Sequence, residues 1–380
     1  MTNLSKNLIM KQFKILTFIP ANGYPVALDA IEALKKLDQF VVTIDLRKVR
    51  REVLSQTIEA VIKRFEPSFI FTTNAVGLIP DLFDDLKIPY VSWWTIDPAN
   101  LKPPPSTFYH IFIIDKTRLP ELKEEGYKSI HYLPFSANPR IFKPLPLEKR
   151  YECNISFAGA CRFSMGYLEN KDYIDRLFGG EGLVSSLIDD QIQNPTRLIE
   201  ETYKRITGQR VSNGLIVELR RIEYEAMRLY RNDIVSEAAS LGIHLYGDDG
   251  WKNFSHPKAK YRGWLDNRSE LPKLYNASKI NLSVQISTLK GSLSKRTFDI
   301  PACGGFVLGD FREALLWHFE DGKEVVYFRE KGELKGLIKY YLHHPDEREA
   351  IAQQARRRIL KDHTYLHRIR RILEVMKETL

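Results

Sequence analysis

A chain of 380 residues, 43% of them apolar and 28% charged, has the make-up of a globular rather than a disordered protein and is long enough for two ordinary domains. No apolar run nears the ~18–20 residues that cross a bilayer, and Lys6, Lys11 and Lys14 interrupt the apolar start, so neither a membrane span nor a signal peptide is expected. The net charge of +9 favours a phosphorylated or polyanionic partner, or an anionic membrane surface, without choosing among them. Nothing matches a nucleic-acid-binding motif, so no nucleic acid is expected. Cys153, Cys161 and Cys303 lack metal-ligand spacing and read as reduced thiols of a cytoplasmic protein.

The first third alternates β-rich runs with helical ones. Strands are predicted over 13–20, 40–46, 68–74, 90–97, 110–115 and 130–135, as near-continuous apolar runs suited to a parallel sheet covered on both faces. Residues 27–37 and 53–65 carry apolar side chains at helical spacing between them. "PFSANPRIFKPLP" (134–146) is proline-rich and reads as an extended linker. A new strand then opens at 153–160. Residues 162–240 look like a mainly helical insertion, ending on a glycine cap at Gly242. Strands return at 243–247, 259–264, 279–285, 305–310 and 324–328, and two helices follow, the first opening at Pro345. The expected fold is α/β with two doubly wound Rossmann-type domains facing a central cleft. The expected boundaries are 1–140, 141–362, and a last helix at 363–380 crossing back to the first domain.

"SVQISTLKGSLSKRTFDIPACGG" (283–305) concentrates the chemistry. A strand ends near Gln285, and a loop with Ser287, Thr288, Gly291, Ser292 and Ser294 leads into a short helix. Unpaired N–H groups at such a start favour phosphate, and Lys295 and Arg296 add full charges. Asp299, three residues beyond Arg296, suits the vicinal hydroxyls of a ribose. Pro301 and Gly304-Gly305 end the helix and turn the chain. The same spacing also fits a capped helix with a surface ion pair.

The stretch from about 280 to 370, through "RTFDIPACGGFVLGDFRE", "FEDGKEVVYF" and "YYLHHPDEREAIAQQARRRILKDHTYLHR", resembles the C-terminal part of GT-B glycosyltransferases of the spore-maturation, CgeB-like type, close to the glycosyl transferases group 1. "YVSWWTIDPAN", "LPFSANPRIFKP" and "NISFAGACR" are similar to further stations of that family in the same order. The resemblance implies a metal-independent transferase without a resident cofactor. Its donor, a UDP-sugar foremost, would be held by the C-terminal domain. Asp299 matches the second acid of the E-x7-E pattern of related retaining enzymes, which binds the donor ribose. Gly291 stands where the first acid would be, so the resemblance does not extend to the stereochemical course.

Beside that stretch, Gly159 and Arg162 follow a strand in "SFAGACR" and could meet a diphosphate; a plain strand-to-helix turn reads equally well. Gly247 in "LYGDDGW" suits a close approach beneath a nucleotide, whereas Asp248 and Asp249 read as turn residues rather than metal ligands. Trp264 is either a platform for the base or a core residue. On the acceptor side, Asn22 and Gly23 form a loop after the first strand. Asp97 is either a general base on an acceptor hydroxyl or the start of an Asp-Pro turn. His363 and His367 fit a basic helix better than a metal site, and such a helix would also suit peripheral contact with anionic lipid. The reading is a cytoplasmic glycosyltransferase of glycoconjugate or cell-envelope synthesis, acting on an unidentified hydroxyl of a glycan, protein or small molecule. A nucleotide-sugar epimerase or hydrolase and a non-catalytic sugar- or anion-binding module are the alternatives.

Overall fold

The computed structural model describes residues 11–96, 103–161, 165–285 and 290–380, apart from the side chains of Met165 and Asn213. The chain divides into two compact units, Met1–Pro134 with Thr364–Leu380 and Phe135–His363.

The first unit is built on a six-stranded sheet of β1 (Lys14–Ile19), β2 (Phe40–Asp45), β3 (Phe69–Thr73), β4 (Tyr90–Trp94), β5 (Tyr109–Ile113) and β6 (Ser129–Tyr132). Every neighbouring pair is parallel, in the order β2-β1-β3-β4-β5-β6. β3, β4 and β5 are buried along their whole length, as strands covered on both faces must be, while Phe40 on the edge strand is 58% exposed. The helix Pro25–Lys36 starts with a proline in its first turn and buries Val26, Ala30 and Leu34. The C-terminal helix Tyr365–Thr379 packs against it. Its start is a capping box in which His367 takes the usual acid's place, its Nδ1 facing the Thr364 N–H at 3.2 Å.

The second unit repeats the plan with β7 (Cys153–Ala158), β8 (Ile243–Tyr246), β9 (Ala259–Tyr261), β10 (Ser278–Ser283), β11 (Val307–Asp310) and β12 (Val326–Phe328). All pairs are parallel and the order is β9-β8-β7-β10-β11-β12, the dinucleotide-fold arrangement in which the chain starts at the centre, winds one way, then crosses to the other side. The twelve strands among the described residues lie within or beside the apolar runs that predicted them.

Between β7 and β8 the chain forms helices Lys171–Leu177, Glu181–Gln193, Ile199–Thr207 and Ile216–Ala239. This insertion has its own core, including Ile174, Leu187, Ile199, Leu219 and Ile222. The long last helix then carries Ile234, Val235 and Ala238 into the sheet core. The proline-rich stretch has no regular element, as its composition predicts, but it is not a free linker. Phe135, Ser136, Ala137 and Phe142 are buried, and Phe142 packs 6.2 Å from Tyr275.

Candidate functional site

Open parallel sheets bind ligands beyond the carboxyl ends of their strands, at the point where the strand order reverses. In the second sheet that point lies between β7 and β10. Gly159 follows β7, and Lys295 and Arg296 follow β10. The Arg296 guanidinium crosses the gap and donates to the Ala158 carbonyl at 2.8 Å. It also stands 5.1 Å from the centre of the Phe157 ring, a cation over an aromatic face. A Cβ on Gly159 would come 2.7 Å from its Nη1, so glycine is what lets the arginine in.

Arg231, from the helical insertion, approaches the same ring at 5.5 Å and donates to the Ala160 carbonyl at 2.8 Å. Burial, and then the neighbouring Arg296 charge, lower its pKa to about 9. Burial likewise lowers the Arg296 pKa, against the raising influence of Tyr275, Asp310 and Asp299. Two desolvated guanidinium groups at one strand end make a region that gains from an anion. Sequence reasoning missed Arg231, because a lone arginine in a helix carries no mark of burial.

The turn after β8 closes the other side. Gly247 has φ of +150°, and a Cβ there would lie 2.1 Å from the Gly159 carbonyl oxygen. The two glycine turns are therefore packed backbone to backbone, which accounts for Gly247 without a ligand. The Trp251 Nε1 donates to the Gly159 carbonyl at 2.7 Å, and Tyr261 donates to the Gly247 carbonyl at 3.1 Å. Asp248 accepts from the Gly250 and Cys161 N–H groups at 3.1 and 3.0 Å, the turn role its setting predicted. Trp264 is 71% exposed, which rules out core packing and leaves an available aromatic surface.

The helix is short, Arg296–Ala302, as the sequence suggested, and its start is partly used up. The Ser294 N–H donates to the Gln285 side chain at 2.7 Å, while those of Thr297 and Phe298 donate to Ser294 and Lys295 carbonyls at 3.0 Å each. Those three amides are not open to phosphate. The i,i+3 ion pair of the capped-helix alternative is not formed. Asp299 does not pair with Arg296; Lys295, four residues earlier, holds both of its oxygens at 2.8 and 2.7 Å. An i,i+4 pair reaches along the helix face as readily as i,i+3, and the Arg296 side chain is drawn away to Ala158. Lys295 also lies 4.5 Å from the Phe142 ring, so the proline-rich stretch helps build this site.

The loop before the helix is anchored from the insertion. Lys290 is almost fully buried, pairing with Glu223 at 2.6 Å and donating to Gln191 at 2.8 Å. Glu223 also pairs with Arg220, which reaches Glu200. Gly291 and Ser292, next along the loop, are buried. Asp97, Arg162, Ser287 and Thr288 lie outside the described residues.

In the first sheet the order turns between β1 and β3. Asn22 and Gly23 follow β1 there, with Gly23 at φ of +63° and the Asn22 carboxamide accepting from the Tyr24 N–H at 3.1 Å. Asn74, after β3, accepts from the Thr95 N–H at 2.7 Å, and Thr95 Oγ1 lies 3.1 Å from the Tyr24 hydroxyl. Asn74, Thr95 and Tyr24 were not singled out from sequence. Among the described residues no group of three metal-binding side chains is assembled, and no helix is long and apolar enough to cross a membrane.

Residues 228–374 match the model of the family described as Glycosyl transferase-like, a stretch that takes in Gly247, Trp264, Lys295, Arg296 and Asp299. No curated protein matches the chain significantly. Among solved structures, it is similar to a glycosyltransferase from Rickettsia africae ESF-5, with 13% identity over 97% of this chain and 98% of that one and a TM-score of 0.54. It is similar to Anabaena Alr3699/HepE, solved in complex with UDP and glucose, with 10% identity over 97% and 100% of the two chains and a TM-score of 0.53. A protein from Listeria monocytogenes described as a UDP-N-acetylglucosamine 2-epimerase gives 12% identity, 97% coverage of both chains and a TM-score of 0.51. At these identities the likeness establishes the fold. The chain has the GT-B architecture.

Proposed function

We propose that the protein is a glycosyltransferase that takes a sugar from a nucleoside-diphosphate donor, a UDP-sugar foremost, bound at the β7/β10 reversal of its second unit. The observation that carries this is Arg296, desolvated and aimed across the reversal point beside Arg231, within a stretch that matches the glycosyl transferase-like family. The diphosphate meets Arg296 and Lys295. Lys295, on a flexible stem, leaves Asp299 for the phosphates, and the freed carboxylate accepts from the ribose hydroxyls. Stabilisation of the departing nucleoside diphosphate by these cations replaces a metal ion in this reading. Anabaena HepE, solved with UDP and glucose on the same fold, supports a UDP-sugar. The acceptor is a hydroxyl compound approaching the β1/β3 reversal of the first unit, near Asn22 and Gly23, with Asp97 as its base. The CgeB-like subtype, a cytoplasmic setting and a peripheral lipid contact through the exposed Arg370 and Arg371 belong to the same reading.

The test is incubation with a panel of labelled uridine, guanosine, thymidine and cytidine diphosphate sugars, followed for binding and for release of the free nucleoside diphosphate. Saturable binding, with release that an acceptor accelerates, is the expected result. Arg296→Met should weaken binding roughly tenfold or more, and Asp299→Asn by a similar factor. Equal binding by both variants and the parent would remove these residues from the site. The Listeria neighbour favours a second reading, an epimerase or hydrolase, which would convert or cleave the nucleotide sugar with no acceptor present. Tight binding without turnover would identify a binding module.

A further inference from the structure

The opposite end of the second sheet holds a separate hollow. A cavity of 540 Å³ opens between the starts of β7 and β10, the turn Gly304-Gly305, and the first turns of the helix Pro345–Asp362. That volume lies within the ~300–1,000 Å³ usual for small-molecule sites. Strands of six residues, at about 3.3 Å each, put it roughly 20 Å from the reversal point at the other end.

Arg348 forms part of its wall. The residue is only 8% exposed, yet among the described residues its guanidinium has a single partner, the Tyr341 carbonyl at 2.6 Å, and no carboxylate in ion-pairing range. A guanidinium has five N–H donors, and with one of its nitrogens on the Tyr341 carbonyl the rest remain available to a ligand at the cavity wall. Burial lowers the Arg348 pKa, opposed by the charge of Glu349 nearby. Lys279 at the rim adds a second cation, while the exposed Glu152 and Glu349 also line the opening. Two cations and two acids suit one oxyanion with hydroxyls beside it. They disfavour a polyanion such as a nucleoside diphosphate, which would face the acids.

We propose that this cavity is a second ligand site. It takes a small hydroxylated molecule bearing one oxyanion group, a phosphate monoester or a carboxylate, with the oxyanion on Arg348 and Lys279 and the hydroxyls toward Glu152 and Glu349. The site does not depend on the donor reading.

Calorimetric titration of the full chain with glycerol 3-phosphate and, separately, with glycerate tests it, since the two probes share a polyol and differ in the oxyanion. Saturable one-to-one binding of at least one probe is expected. Arg348→Gln should weaken it roughly tenfold or more, and Lys279→Glu several-fold. Arg296→Met, at the far end of the sheet, should leave it unchanged. No saturable binding of either probe would overturn the proposal, as would affinity that survives both Arg348→Gln and Lys279→Glu. Loss of binding in Arg296→Met would place the probe at the other end and overturn it too. Where Arg348→Gln fails to fold, the exposed Lys279→Glu decides alone.

Discussion

The two sheets place the same feature, a reversal of strand order, in opposite electrostatic settings. At the β1/β3 reversal the loops offer neutral groups, with Asn74, Thr95 and Tyr24 in one hydrogen-bonded chain. At the β7/β10 reversal they offer Arg296, Arg231 and the Lys295–Asp299 pair around Phe157 and Ala158. Topology makes both points concave and accessible to a ligand, but among the described residues only the second gathers cations suited to an anion. The fold therefore marks two candidate docking points, and the proposed donor reading rests on the charges at the second. The loops differ in rigidity as well. Around Gly247 backbone meets backbone, whereas a Cβ on Gly23 would meet nothing within 4 Å.

Substitution at those two glycines separates the settings most sharply, and Gly247→Ala has the largest expected effect. Its methyl group would overlap the Gly159 carbonyl, 2.1 Å away, and one of the two turns must move. A loss of about 4 kcal/mol or more is expected for the second unit. Urea unfolding should show that unit's transition shifted and the first unit's in place; an unshifted curve would mean that the two turns are not packed together.

Next in size is Lys290→Met, which removes the buried cation that pairs with Glu223 and donates to the Gln191 side chain. Breaking one partner from a buried ion pair costs about 3 kcal/mol. Because Lys290 fastens the loop that leads to Ser292 and Lys295, the KM for the nucleotide sugar should rise more than kcat falls. A pure stability loss, with kinetic constants unchanged at low temperature, would show that the insertion only braces the fold.

These two positions also mark what could be read from the sequence. Strands such as 68–74 and 90–97 were legible because a strand covered on both faces must be apolar throughout. Arg296 and the glycines near it stood out as a candidate site, although the same residue types at the same spacing fit a capped helix. The anchoring of the loop was not legible. Lys290 and Glu223 are 67 residues apart, and charged side chains that end up buried look, one at a time, like those that face water. Nor was the partner of Asp299: spacings of three and four both bring a cation within reach, and it is Lys295, not Arg296, that holds it. The proline-rich stretch reads as an extended linker, and it is irregular but not a free linker. Its Phe142 and Ala137 gave no sign that the irregular chain would be packed into the second unit.

An effect of similar size should distinguish the first unit by its response to acid. His110, 4% exposed on β5, has its Nδ1 2.7 Å from the Ser129 hydroxyl, and burial, with the nearby His131, lowers its pKa from 6.5 to about 4. The folded state thus prefers the neutral ring. The unfolded chain binds a proton near pH 6.5 and the folded one only near pH 4, so stability is full above 6.5 and falls as the pH drops toward 4. The loss amounts to about 3 kcal/mol. His110→Gln, which removes the titration and keeps an amide for Ser129, should flatten the melting temperature of the first unit over that range. His131, whose pKa burial also lowers, should keep part of the slope. An unchanged slope in His110→Gln would move the acid sensitivity elsewhere.

Gly23→Ala should have the smallest effect. The position has φ of +63°, which an alanine adopts at a cost of about 1 kcal/mol, with no clash to add. Asparagine tolerates that conformation better, so Gly23→Asn should cost less than Gly23→Ala in thermal melts, the reverse of the order that side-chain bulk would give. Under the acceptor-side reading, Gly23→Asn raises the KM for the acceptor and leaves that for the nucleotide sugar unchanged, because it alters only the β1/β3 reversal. An equal rise in both would break the assignment of acceptor and donor to separate units, even with both reversal points intact.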